Sequence, residues 1–107
     1  LTVGRALEDG TIQSGTINVG LNTSIRITAS GDFDTFCFIE NQTLNDNTPS
    51  NSTWKTVSKG QSNGLGMRSY YEKEGGYDTS GIYEYLILAT NQTLKKTIVK
   101  GVVVNVS

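Results

Sequence analysis

Histidine is absent from this 107-residue chain, cysteine and proline occur once each, and aromatic residues make up only 8%. Each scarcity removes a class of chemistry. Without histidine the chain lacks the commonest general base near neutral pH and the commonest metal ligand. A lone cysteine, Cys37, excludes an internal disulfide framework and a zinc site of four thiolates. No apolar run approaches the roughly 18–20 residues of a membrane span, so direct membrane insertion is not expected of this segment. Nine Lys+Arg against ten Asp+Glu leave a net charge of −1, too little for an electrostatic footprint on nucleic acid or an anionic membrane. These deficits argue against most enzyme classes and point to a binding module, with no catalytic residue, metal or cofactor expected.

What is present favours strands. Thr, Val, Ile and Tyr dominate over Ala, and no window carries a sustained 3.6-residue apolar stripe. The length suits one domain over residues 1–107. Short alternating runs are separated by Gly, Asn, Asp and Ser clusters, the pattern of a small sandwich or barrel. Strands are expected over Thr16 to Val19, Ser24 to Ala29, Thr35 to Ile39, Ile82 to Leu88 and Thr97 to Val104. Weaker candidates are Trp54 to Val57 and Met67 to Tyr71, split by the glycine-rich stretch Gly60 to Gly66. In the second strand Ile25, Ile27 and Ala29 share one face, opposite Arg26 and Thr28. Thr90 to Leu94 reads as a hairpin connection. The chain begins at Leu1, as expected of a mature or excised segment of a longer protein.

Five Asn-x-Ser/Thr sequons stand at Asn22, Asn41, Asn51, Asn91 and Asn105. About two would arise by chance, so the excess leans toward a secreted glycoprotein. A polar, Thr-rich β surface also produces such triplets.

Other motifs carry little chemistry. Asp32-x-Asp34 and Asn45-Asp46-Asn47 offer oxygens to calcium but lack the spacing of a site that gathers six to eight, as calcium loops do. The stretch Gly60 to Gly66 lacks the lysine and the strand-to-helix setting of a phosphate-cradling loop. Cys37 has no histidine partner and lies in an apolar run, where burial favours the inert thiol. Trp54, Tyr70, Tyr71 and Tyr77 fall outside the strongest core segments, and exposed aromatics are contact residues for proteins and sugars.

Two segments resemble the framework of an immunoglobulin variable-type domain. Val19 to Ala29 is similar to the approach to strand B, with Ala29 in the place of the first half-cystine. Asp78-Thr79-Ser80-Gly81-Ile82-Tyr83-Glu84-Tyr85 is similar to the strand F signature, with Tyr85 in the place of the second. The resemblance implies an all-β, antiparallel V-type sandwich whose core includes Ile25, Ile27, Ala29, Phe36, Tyr83 and Tyr85. A small residue opposite a large one would fill the layer left by the missing bridge. Tyr83 matches the tyrosine corner, so its hydroxyl should bond backbone upstream. Phe36 or Phe38 would replace the strand C tryptophan behind a shortened B–C loop.

The narrower resemblance is to disulfide-less adhesion and allorecognition ectodomains, including those of colonial cnidarians. It implies non-catalytic, homophilic or closely related protein recognition at a cell surface, with no nucleic-acid partner. Alternation gives two faces, and the strand F resemblance implies that Tyr83, Tyr85 and Ile87 point inward. Cys37, Ile39, Glu84, Leu86 and Leu88 would then line an outer face, extended by Val99, that is too apolar for open solvent. The rival expectation is a bacterial or phage surface β-sandwich acting as a spacer or carbohydrate-binding module through Trp54, Tyr70 and Tyr71.

Overall fold

The computed structural model describes residues 1–41, 54–61 and 68–107. Every regular element among them is a strand: β1 (Thr2–Ala6), β2 (Ile12–Gln13), β3 (Ile17–Val19), β4 (Ile25–Ser30), β5 (Thr35–Asn41), β6 (Trp54–Gln61), β7 (Arg68–Lys73), β8 (Gly81–Asn91) and β9 (Lys96–Val106). They form two sheets, β2-β1-β4-β7 and β3-β9-β8-β5-β6. All pairings are antiparallel except β3 with β9. The first edge is therefore divided: β1 lies in one sheet, and the chain crosses at Ser14 to Thr16 to add β3 to the other. Gly15, with φ of 99°, permits that crossing. The result is the V-type immunoglobulin-like sandwich expected from the sequence.

The alternation in β4 and β8 sets the core. Ile25, Ile27 and Ala29 from one sheet meet Phe36, Phe38, Tyr83, Tyr85, Ile87 and Ala89 from the other, all of them buried. Their opposite faces carry Arg26 and Glu84 toward solvent, so a one-residue slip would exchange core for surface. Ala29 and Tyr85, at the two bridge positions, are both wholly buried. The Tyr83 hydroxyl donates to the Thr79 carbonyl oxygen at 2.7 Å, closing the expected corner. Only residues 31–34 separate β4 from β5, the short connection anticipated; Phe33 there packs edge-on against Phe36.

Three departures stand out. The strands β1 and β2, unexpected from the sequence, complete the four-stranded sheet. β6 continues to Gln61, through the start of the glycine-rich stretch, whose remainder lies outside the described residues. Tyr77, placed outside the core by the sequence, is buried and stacks on Tyr83 with ring centroids 3.7 Å apart.

Candidate functional site

The outer face of the five-stranded sheet is built by strand register. Ile39 pairs with Leu86, Cys37 with Leu88, and Leu88 in turn with Val99, so these side chains share one side. Cys37, Ile39, Glu84, Leu86 and Leu88 are half-buried, and Val99 is 55% exposed. Gly101, between Glu84 and Leu86, leaves the centre of the face flat. These side chains stand on the side opposite the buried Tyr83, Tyr85 and Ile87. Asn41, on the same strand, is buried with its Oδ1 unpaired among the described residues.

The opposite sheet is different in character. On β7, Ser69 and Tyr71 point inward while Arg68, Tyr70 and Glu72 point out. Tyr70 is 53% exposed. The Arg26 guanidinium carbon lies 4.4 Å from the centroid of its ring, and Arg26 Nη2 lies 3.1 Å from Glu72 Oε2. One guanidinium thus covers part of the ring and holds the carboxylate beside it. At the other end of the face the β1–β2 hairpin folds inward: a Cβ on Gly4 would fall 2.2 Å from the Gln13 carbonyl oxygen. Arg68 Nη1 donates to the Gly10 carbonyl oxygen at 2.7 Å and fixes the hairpin there. Thr28, which pairs with both Gly4 and Tyr70, is buried beneath this covering although it lies on the outward side.

Between the sheets lies a polar cluster that the sequence did not reveal. Tyr77 donates to Glu40 Oε1 at 2.8 Å and also contacts the Tyr85 hydroxyl. One phenol proton serves one bond, so Tyr85 donates to Tyr77. Lys73 Nζ lies 3.6 Å from Glu40 Oε1 and 4.5 Å from the Tyr77 ring centroid. Burial, above all, holds the Tyr77 and Tyr85 hydroxyls well above the ordinary phenol range, and the Glu40 charge adds to it. The cluster uses its polar groups on one another, as a structural brace does.

The other sequence candidates are mostly accounted for structurally. Asp34 Oδ2 accepts the Gln92 amide at 2.5 Å. Asn91 donates to the Asp32 carbonyl at 2.9 Å and accepts from the Leu94 amide at 3.0 Å. These bonds tie the β4–β5 connection to the β8–β9 turn. Among the described residues no three His, Cys, Asp or Glu gather as metal ligands, and no helix is long and apolar enough to cross a membrane. Lys95 and Lys96 are exposed at the turn. Of the sequons, Asn22 and Asn105 are exposed, whereas Asn41 and Asn91 are buried, so a glycan on either would have to fit inside the folded domain. Asn51, the Asn45-Asp46-Asn47 run and the Trp54 side chain lie outside the described residues.

No family model matches the chain, and no curated protein matches it in sequence. Solved structures share its fold. The catalytic domain of a lytic polysaccharide monooxygenase from Listeria monocytogenes superposes with a TM-score of 0.55 at 12% identity, over 87% of this chain and 60% of that one. An AA10 lytic polysaccharide monooxygenase from Streptomyces lividans gives a TM-score of 0.55 at 12% identity, over 92% of this chain and 62% of that one. The chain thus spans about three fifths of the length of either. At this identity the likeness shows the fold.

Two expectations are corrected by these neighbours. The adhesion and allorecognition ectodomain resemblance is overturned, because the sandwich is matched by polysaccharide monooxygenases instead. With it goes homophilic recognition through Cys37, Ile39, Glu84, Leu86, Leu88 and Val99. The strand B and F patterns record what any such sandwich needs for packing, and packing does not fix lineage or function. The reading of the chain as a non-enzyme from its composition is also overturned as a rule for this fold, since one matched structure is itself a catalytic domain.

The monooxygenase step requires a redox centre to activate oxygen. Imidazole and thiolate are the protein donors suited to copper or iron, yet this chain has no histidine and a single cysteine on a flat sheet face. The donor set does not fit such a centre, and no step is derived through one.

Proposed function

We propose that this chain is a polysaccharide-binding β-sandwich module of bacterial or phage type, acting outside the cell, where its ligand is found. Carriage within a longer surface protein is the finer form of that proposal. The observation that supports it is Tyr70 on the outer face of the four-stranded sheet. The residue is about half exposed, with the Arg26 guanidinium over its ring and Glu72 alongside. A sugar ring offers an apolar C–H face and a hydroxyl rim. An aromatic face bordered by a donor and an acceptor matches both. The named substrate class of the fold neighbours, polysaccharide, supports the same reading.

The test is depletion of the protein from solution by a panel of insoluble and soluble polysaccharides. Retention by at least one is expected. Tyr70→Ala should weaken that retention about tenfold or more, because the stacking surface is removed. The thermal transition should stay near that of the parent, since Tyr70 is exposed. Undiminished retention by Tyr70→Ala refutes this site.

A further inference from the structure

The charges around Tyr70 carry the reading one step further, to the class of sugar. Arg26 makes one contact to Glu72 through Nη2 and one face-on contact to the ring, which leaves most of its N–H groups directed elsewhere. Glu72 uses Oε2 for Arg26, and its other oxygen accepts no hydrogen bond among the described residues. The second arginine on this face, Arg68, is committed to the Gly10 carbonyl. Asp9, in the same hairpin, accepts the hydroxyl and amide of Thr11 on Oδ1 at 2.6 and 3.0 Å, which hold its carboxyl below the usual carboxylate range. Beside Tyr70 the platform therefore presents one donor group and one acceptor group, and among the described residues both arginines of this face, Arg26 and Arg68, have a partner.

Resting on the polysaccharide-binding reading, we propose that Glu72 makes the Tyr70 platform selective for neutral sugars with adjacent free hydroxyls. A carboxylate accepts hydrogen bonds from hydroxyl groups more strongly than a neutral acceptor does. It also opposes a second carboxylate or a sulfate brought to the same surface. Arg26, already paired, offers donors to a ring oxygen or hydroxyl without the unopposed positive charge that an acidic glycan would need. Glu72 is here a specificity residue, and Tyr70 supplies the stacking surface for any sugar.

The experiment compares a neutral β-glucan with polygalacturonate, using affinity electrophoresis at fixed ionic strength for the parent, Glu72→Gln and Tyr70→Ala. The parent should be retarded by the neutral polymer and far less by the acidic one. Glu72→Gln should bind the neutral polymer about fivefold to tenfold more weakly and should narrow or remove the discrimination against polygalacturonate. An unchanged thermal transition checks that the fold persists, since an exposed pair contributes little to stability. Stronger retardation of the parent by polygalacturonate overturns the selectivity proposal. So does a Glu72→Gln protein that matches the parent on both polymers while Tyr70→Ala loses binding; in that case polysaccharide binding itself stands. If Tyr70→Ala keeps the parent's binding, the underlying site falls and the selectivity with it; if neither polymer retards the parent, the selectivity proposal falls and the polysaccharide panel decides the site.

Discussion

Tyr77, Tyr83 and Tyr85 lie close in sequence and do different work. Tyr83 closes the corner onto Thr79, Tyr85 fills the bridge position, and Tyr77 hands a hydrogen bond to a buried carboxylate. Removing the Tyr77 hydroxyl strands two partners. Tyr77→Phe leaves Glu40 with Lys73 alone and leaves the Tyr85 hydroxyl without its acceptor. A cost of about 1–3 kcal/mol is expected. At about 4–8 °C per kcal/mol for a domain near this size, calorimetry should register a clear drop in Tm. The role of Tyr83 was legible in the sequence because the corner motif is local. That of Tyr77 was not, because Tyr77 lies in the β7–β8 connection and its partner Glu40 on β5, and contact between them is decided by tertiary packing. Asn41 and Asn91 teach the same lesson. As sequons they look alike, and only burial separates them from Asn22 and Asn105.

At the scale of elements, clear alternation was enough for β4, whereas in β8 both alternating sets are largely apolar and the strand F motif marked the inward one, which is nearly or wholly buried. β1 escaped notice because Gly4 and Arg5 interrupt its apolar pattern, and Gly4 is required by the approach of Gln13 from the next strand. The β7–β8 turn depends on a similar fit. Gly76 has φ of 67°, and a Cβ there would fall 2.2 Å from the Thr23 carbonyl oxygen. Neighbouring bonds hold the turns together: Gly75 N to Ser24 Oγ at 2.9 Å, and Asn22 N to the Tyr77 carbonyl at 2.7 Å. Gly76→Ala should therefore cost about 2–4 kcal/mol, combining left-handed strain with a backbone clash. At Gly10, where φ is 88° and a Cβ meets nothing within 4 Å, Ala should cost only about 1 kcal/mol. Chemical denaturation of the two variants would reveal the difference as unequal midpoints with similar slopes.

The whole molecule holds its sheets together by packing and by a core rich in phenols, which gives it an alkaline limit. Folding shifts the ionisation of Tyr77 and Tyr85 to higher pH, chiefly through burial. Their stabilising effect is complete below the unfolded phenol value near pH 10, roughly. It declines as pH rises above that value toward the folded one, because the unfolded chain then releases protons that the folded chain keeps. Stability should fall by about 1.4 kcal/mol per pH unit for each such tyrosine in that range. Denaturation midpoints measured against pH should be level near neutrality and drop in strong alkali. Tyrosinate absorbance from the core should appear together with unfolding and not before it. Independent ionisation of the folded core would show that these hydroxyls are not protected.

The sequence by itself determined the strand class and the inward set of β4, and the strand F motif marked the inward set of β8. Each follows from local alternation or from a motif whose parts are close in the chain. Only the tertiary structure decided that Tyr77 is core and Tyr70 surface, and that Arg26 and Glu72, from different strands, meet beside the exposed ring. Those facts depend on which strands become neighbours and which face each sheet turns outward. The fold comparison then corrected adhesion to a sandwich shared with polysaccharide-acting domains, because the packing of two sheets constrains sequence more tightly than it constrains what the outer faces bind.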